Sequence, residues 1–210
     1  MMYATPPKNS DTIRAFIAVP LPVETIGQLA PLVEELRALC RRAGVDAVWS
    51  RPEGWHLTLK FLGPVAAGRI DPLLERLPGC AARHDPFAVR LTGFGAFPSM
   101  PRPRVLWIGL EPDEGAAALG VLARTIDEAT VALGHPSEER AFSPHLTVAR
   151  IRTPPRSVRA LTTWLEQHHA DRLAAMNVEQ VVLMRSDARP GGSVYTPIAV
   201  FPLARNARSS

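Results

Sequence analysis

Cysteine is scarce in this 210-residue chain: Cys40 and Cys80 stand forty positions apart, and neither has a second Cys or a His at metal-ligand spacing. That argues against a disulfide framework and a zinc site, and two buried reduced thiols are expected instead. Lysine is scarcer than the charge suggests, because Lys8 and Lys60 are the only lysines among 24 basic residues. Arginine supplies the rest, and its planar bidentate donors suit phosphate. An Ala- and Pro-rich chain can carry that bias for reasons of genome composition, however, so a net charge of +4 points only weakly to nucleic acid. Aromatic residues make up only 6%, and no RNP-type or glycine-loop nucleic-acid motif is present, which argues against a dedicated RNA-binding module. No apolar run approaches the ~18 residues of a membrane span. Met1 to Asp11 is polar and contains proline, unlike the apolar core of a secretory signal, so a cytoplasmic protein is expected. Acidic residues are nowhere clustered in the way that holds magnesium or manganese for phosphoryl transfer; no metal and no cofactor are expected.

What is present is a repeated pattern. Trp55-His56-Leu57-Thr58-Leu59-Lys60-Phe61 carries a histidine two residues ahead of a threonine in an apolar, strand-like run, and His145-Leu146-Thr147-Val148-Ala149-Arg150-Ile151 repeats it. Six histidines and twelve threonines in a chain of this length give only about 0.3 chance matches to His-x-Thr, so two with the same leucine between are informative. Side chains alternate along a strand, which places His56 with Thr58 on one face and His145 with Thr147 on another. Near pH 7 one imidazole can accept a proton while a second donates one. A facing pair is therefore suited to displacement at phosphorus, with the threonine hydroxyls donating to the non-bridging oxygens. His84, His135, His168 and His169 lack this context and are expected at the surface.

In chain order, Ile13 to Val19 reads as a strand and Pro22 to Arg42 as an amphipathic helix stopped by Gly44. A short strand over Ala47 to Ser50 and a turn over Arg51 to Gly54 lead into the first motif strand, with Gly63-Pro64 as its expected end. Arg69 to Leu77 reads as a helix broken by Pro78-Gly79, and Phe87, Val89 and Leu91 as a half-buried strand. Gly93 to Arg104 reads as a Gly- and Pro-rich connection into a strand over Val105 to Leu110. A helix over Pro112 to Leu133 and a polar loop over Pro136 to Pro144 deliver the second motif. Pro154-Pro155 breaks the chain, Arg156 to His169 reads as a helix, and strands over Val178 to Arg185 and Val194 to Phe201 flank a loop at Asp187 to Gly192. The motif histidines lie 89 positions apart, which suggests two similar halves of that size forming an α+β domain with both motif strands beside one cleft.

The motifs resemble the RNA 2',3'-cyclic phosphodiesterases, the "2'-5' RNA ligase" branch of the 2H phosphoesterase superfamily. So do their surroundings: Trp49-Ser50-Arg51-Pro52-Glu53, Lys60-Phe61-Leu62-Gly63, Phe94-Gly95-Ala96-Phe97-Pro98, Pro103-Arg104-Val105-Leu106-Trp107 and Phe142-Ser143-Pro144. The likeness runs from about Ile13 to Leu203. It implies a bilobal, pseudo-twofold α+β fold over residues 12–204, two antiparallel sheets lining a central cleft with helices outside, and flexible ends at 1–11 and 205–210. It also implies metal-independent hydrolysis of a 2',3'-cyclic phosphate on an RNA end or nucleotide to a 2'-phosphomonoester, and a reversible 2'-5' RNA ligase activity when a 5'-hydroxyl RNA end is the nucleophile. The resemblance makes His56 the proton donor and His145 the acceptor, a choice the near-symmetric motifs leave open by themselves. It makes Arg150 a phosphate contact, although strict alternation would turn it away from His145 unless a bulge brings it back. Lys60 has the parity of His56 and is expected in the cleft as a further phosphate contact; Phe61 is expected in the core. The substrate would be an RNA end or cyclic nucleotide, and the protein a monomer with no membrane partner. Two alternatives remain: a different cyclic phosphate such as ADP-ribose 1'',2''-cyclic phosphate, and a non-catalytic RNA-binding module.

Overall fold

The computed structural model describes residues 12–152, 158–189 and 192–204. Two antiparallel sheets form the frame. The first is four-stranded in the order β3 (His56–Ala66), β1 (Thr12–Pro20), β8 (Gln180–Arg189), β9 (Gly192–Pro202). The second is five-stranded in the order β2 (Ala47–Trp49), β6 (Leu146–Ile151), β5 (Arg102–Leu110), β4 (Phe87–Ser99), β7 (Arg172–Val178). Each sheet thus draws on strands far apart in the chain, and the first joins its beginning to its end. The two lobes are interleaved in sequence instead of following one another as halves.

Four helices cover the sheets. Helix α1 (Val23–Arg42) buries Thr25, Leu29, Val33, Leu36 and Cys40, the three-and-four spacing of one helical face. It packs on β7 and on α4 (Arg159–Gln167), while α2 (Ile70–Ala81) packs on β9 and on α3 (Glu114–Val131). Helix α3 touches both β4 and β3 and so bridges the sheets. It begins two residues later than the sequence suggests, at Glu114, after the N-cap Asp113, whose carboxylate accepts a hydrogen bond from the amide of Ala116 at 3.0 Å. No described helix is long and apolar enough to cross a membrane. Cys40 and Cys80 are buried free thiols, and burial pushes Cys40 up to about 11.

Several local readings are corrected by tertiary context. Strand β3 continues through Gly63-Pro64 to Ala66. It is an edge strand, where a proline costs no ladder bond on the open side, and Gly63 takes the positive φ of a register shift. Helix α2 runs through Pro78 and Gly79, because Leu73, Leu77, Cys80 and Ala81 form one continuous buried face. The supposed connection at Gly93 to Arg104 is a strand hairpin, paired from Leu91↔Leu110 to Ser99↔Arg102. Its glycines serve close approach. The amide of Gly93 donates to the carbonyl of Asp171, a Cβ there would lie 1.9 Å from the carbonyl oxygen of His169, and a Cβ on Gly95 would lie 2.3 Å from the Trp107 ring. Strand β7 gave no strand signal, since Leu-Ala-Ala-Met-Asn lacks β-branched residues; it forms by pairing with β4. The last hairpin keeps its ladder up to Arg189↔Gly192, so Asp187 to Arg189 are strand. Pro154-Pro155, the tip of the last hairpin and both chain ends lie outside the described residues.

Gly93→Ala would combine a backbone clash with a left-handed conformation (φ +61°). It is expected to cost at least ~2 kcal/mol, read as a lower urea midpoint at unchanged m-value.

Candidate active site

Both motif strands carry one extra residue just after the threonine. In β3, Thr58 pairs with Ala18 and Lys60 with Ile17, which leaves Leu59 without a partner. In β6, Thr147 pairs with Trp107 and Ala149 with Leu106, which leaves Val148 without one. Each bulge resets the alternation of side chains. Leu59 and Lys60 are both buried, as are Val148 and Ala149, while Phe61 and Arg150 turn outward. The result is a cleft of about 850 Å³ lined by His56, Thr58 and Phe61 from one strand and by His145, Thr147 and Arg150 from the other. Arg14, Arg51, Glu53 and Tyr195 lie along its walls.

The bulges decide three expectations at once. Arg150 joins the cleft despite its odd offset from His145. Lys60 does not line it: the residue is 3% exposed, and its side chain is ion-paired with Asp127 and donates to the carbonyl of Pro136 at 2.6 Å. Phe61 is not core. It is 60% exposed, lies in the cleft, and has its ring 6.2 Å from that of Phe16.

The two histidines are held alike. Nδ1 of His56 donates to the carbonyl of Gly54 at 2.6 Å, and Nδ1 of His145 to that of Ser143 at 2.8 Å, in each case two residues back. With Nδ1 committed as a donor, Nε2 is the nitrogen left for the cleft, and it bonds to no described residue. Aromatic rings set each imidazole: Phe16 (4.8 Å) and Tyr195 (4.9 Å, edge-on) for His56, Phe97 (5.0 Å, edge-on) and Trp107 (6.5 Å) for His145. Burial lowers the pKa of His56, the Gly54 hydrogen bond opposes that, and the nearby charge of His145 lowers it further. The charge of His145 therefore reaches His56 across the cleft. Among the described residues no group of three His, Cys, Asp or Glu could hold a metal ion.

A LigT-like phosphoesterase profile matches residues 19–107 and again 108–195. The chain belongs to the LigT-like phosphoesterase family. It is 31% identical to the RNA 2',3'-cyclic phosphodiesterase of Methanothermobacter thermautotrophicus over 191 residues, which are 91% of this chain and 99% of that one. The enzyme of the same name from Archaeoglobus fulgidus is 32% identical over 90% of this chain and 99% of its own. The one from Geobacillus stearothermophilus is 32% identical over 82% of this chain, which spans only 55% of that relative's length. A crystal structure of a Thermus thermophilus protein superposes with a TM-score of 0.68 at 27% identity, covering 92% of this chain and all of the other. Escherichia coli LigT complexed with 3'-AMP shares the fold, with a TM-score of 0.67 at 24% identity over 93% of this chain and all of its own.

Two ties that the sequence did not reveal hold the phosphoesterase cleft together. Ser50 shares its hydroxyl proton between the carbonyls of Thr147 (2.9 Å) and Val148 (3.0 Å), and accepts from the indole Nε1 of Trp55 at 3.0 Å. The residue before one catalytic candidate is thereby fastened to the bulge after the other. On the far side, Lys60 reaches Asp127 and Pro136, while Asp127 also accepts from Ser137 Oγ (2.7 Å) and the amide of Glu138 (3.2 Å). Burial would raise the pKa of Asp127, but these hydrogen bonds and the Lys60 charge outweigh it and hold the carboxyl low. This second tie fixes the start of the loop that leads to Ser143 and His145.

The other histidines take separate roles. His84 bonds Thr125 Oγ1 at 3.1 Å, His168 stacks on Trp164 and bonds Asp171 at 2.6 Å, and His169 caps the carbonyl of Glu166. His135, expected at the surface, is instead buried, and its pKa is lowered by burial and by the charges of Arg69 and Lys60.

Three variants separate the ties. Ser50→Ala leaves the Trp55 indole without its acceptor, which is expected to cost ~1–3 kcal/mol, and loosens Thr147 enough to lower kcat by about 10- to 100-fold. Asp127→Ala strands a charge on Lys60, whose side chain is 2% exposed, whereas Lys60→Met leaves a carboxylate 22% exposed and still hydrogen-bonded. Asp127→Ala is therefore expected to lose about 3 kcal/mol and Lys60→Met distinctly less in urea titrations.

Proposed function

We propose that this phosphoesterase hydrolyses the 2',3'-cyclic phosphate of an RNA end or nucleotide to a 2'-phosphomonoester, with His56 and His145 as the acid–base pair. The observation that carries the reading is the presentation of two imidazoles into one cleft, each with Nδ1 tied to a backbone carbonyl and Nε2 free. The names of the relatives, RNA 2',3'-cyclic phosphodiesterase at 31–32% identity, support the same substrate class.

In this mechanism His145 takes a proton from water as the oxygen attacks phosphorus. The bond from phosphorus to O3' breaks opposite, and His56 gives its proton to the departing oxygen. The product carries the phosphate on O2' and a free 3'-hydroxyl. The Thr58 and Thr147 hydroxyls donate to the non-bridging oxygens, and Arg150 offsets their charge as it builds up. Lys60 has no part, being sealed against Asp127. The same cleft, with a 5'-hydroxyl RNA end taking the place of water as the nucleophile and O3' leaving as before, would give a 2'-5' linkage. One chain supplies both histidines, which supports a monomeric enzyme, and two buried thiols fit a cytoplasmic one.

For His56 to act as donor, the phosphate must counter its burial, since the empty cleft favours the neutral ring. The expected sign is definite: in the free protein the His56 imidazole titrates below 6.5, and bound inorganic phosphate raises it. His145→Ala also raises it, by removing the neighbouring charge. Proton NMR of the ring resonances reads all three shifts. His56→Ala and His145→Ala are each expected to lower kcat by roughly 10²–10⁴-fold with the fold intact, and EDTA to have no effect. A panel of 2',3'-cyclic mononucleotides, cyclic-phosphate-ended RNA and ADP-ribose 1'',2''-cyclic phosphate, with products identified by phosphorus NMR, tests the substrate. Full turnover in either histidine variant contradicts the mechanism, and a preference for the ADP-ribose substrate contradicts the RNA reading.

A further inference from the structure

We propose that Arg14, with Ser186 beside it, forms a second phosphate-binding position in the cleft, one that reads the 5'-phosphate of the nucleotide whose cyclic phosphate lies between the histidines. The inference rests on the proposed reading of the cleft and adds a determinant of substrate length to it.

The placement follows from the strand register. Phe16 and Arg14 lie two residues apart in β1 and so share a face, about 7 Å from one another along the strand. Phe16 is the residue whose ring touches both His56 and Phe61. The order along this wall is therefore His56, then the Phe16–Phe61 pair, then Arg14. A nucleotide with its ribose phosphate at His56 and its base against the exposed Phe61 ring would extend its 5' side toward Arg14. Between Phe61 and Arg14 the wall is Gly63, opposite Ala15. Gly63 has no side chain and Ala15 turns its methyl into the core, which leaves the way open for the sugar–phosphate chain.

Charge makes the same point. Arg14 is exposed in the cleft wall and makes no hydrogen bond or ion pair to any described residue. Its partners across the strands are Pro64 and Ser186, neither acidic. The acid next in sequence to Ser186, Asp187, is occupied by Arg185 through Nε (3.0 Å) and Nη2 (2.8 Å). The one acid among the cleft-lining residues, Glu53, lies in the turn before His56, whereas Arg14 sits at the other end of β1, where β3 has already reached Pro64. An unpaired guanidinium with a hydroxyl one strand away matches a phosphate monoester or diester, which offers several acceptor oxygens to a bidentate donor. Arg150 serves the reacting phosphate in the other lobe, so Arg14 is left for a second one.

The phosphate could belong to a longer RNA or to a 5'-phosphorylated mononucleotide, and three substrates distinguish these. A 2',3'-cyclic mononucleotide with a 5'-hydroxyl, the same compound with a 5'-phosphate, and a dinucleotide ending in a cyclic phosphate are compared by kcat/KM. Both phosphate-bearing substrates are expected to exceed the 5'-hydroxyl one. In Arg14→Gln that preference is expected to shrink about tenfold, mainly through KM, with Arg14→Lys in between. The slope of log kcat/KM against log salt should also fall by roughly one unit for the dinucleotide. Advantage for the dinucleotide alone would assign the position to a phosphodiester. A preference absent from the wild type, or unchanged in Arg14→Gln, overturns the proposal. Calorimetry of 3'-AMP against adenosine 3',5'-bisphosphate makes the same comparison without turnover. Loss of the bisphosphate preference in Arg14→Gln with no hydrolysis of any cyclic substrate would remove the activity reading and keep this one; equal binding of the two ligands by the wild type would overturn this one alone.

Discussion

The cleft owes its lining to one surplus residue directly after the threonine of each motif strand. A regular strand would present His56, Thr58 and Lys60 to one side and Leu57, Leu59 and Phe61 to the other. The unpaired Leu59 shifts the residues up to the next irregularity at Leu62 by one position, so a lysine goes inward to an aspartate and a phenylalanine comes out to the cleft. The unpaired Val148 does the same in β6 and brings out Arg150. Because both bulges follow the threonine directly, the pseudo-twofold relation holds through the shift: Phe61 occupies in one lobe the position that Arg150 occupies in the other. The catalytic part of the cleft is thus nearly symmetric, while its flanks differ, one aromatic and one cationic. A symmetric ligand gains nothing from that difference. A nucleotide, with a flat base at one end and an anion at the other, can bind in one orientation only.

Two strands in different sheets do not stay aligned by sheet hydrogen bonds, and the alignment here rests on the ties that flank them. The Ser50 hydroxyl satisfies a buried indole and supports two carbonyls at a bulge, where the regular ladder has lapsed. The Lys60–Asp127 pair works on the opposite side, where a buried ammonium is tolerable only because a carboxylate and a backbone carbonyl receive it. Both ties run from the neighbourhood of one histidine to that of the other. Disturbing either should therefore move the imidazoles relative to each other before it unfolds the sheets.

What the sequence made legible was local, and what it concealed was pairing. His-x-Thr repeated with a shared leucine is visible because two identical side chains on one strand face need no partner to be recognised. The amphipathic spacing of α1 is visible for the same reason. A bulge is different, since it exists only relative to the strand opposite: nothing in Thr58-Leu59-Lys60-Phe61 announces that Ile17 and Ala18 will skip Leu59. Strict alternation consequently misplaced Lys60 and Phe61 together and put Arg150 in difficulty. Gly93 and Gly95 misled in a related way, because their small size answers to the carbonyl of His169 and the ring of Trp107 and not to a turn. Ser50 stood out only as part of the family-like stretch Trp49 to Glu53, and nothing local revealed its bonds, as its three partners lie five residues and nearly a hundred residues away. The interleaving of the lobes was concealed likewise, for a chain that repeats every 89 residues need not fold one repeat at a time.

The near identity of the two motifs raises the question of how two similar imidazoles divide two opposite tasks. Acid and base catalysis together require one ring protonated and the other not, and a pair with equal affinities would spend much of its time in the wrong state. Here the division begins in the packing. His56 is enclosed by Phe16 and Tyr195, its burial penalises the charged form, and a charge on His145 penalises it again. The doubly protonated cleft is therefore the costly one, and the penalty is lifted when an anion arrives between the rings. In the proposed mechanism, a phosphate bridging both Nε2 atoms would raise the proton affinity of His56 at the moment a donor is needed there, so the substrate would complete the acid. Such a site is selective for anions by construction. It disfavours double protonation when empty, and its full acid–base complement is assembled only around a phosphate.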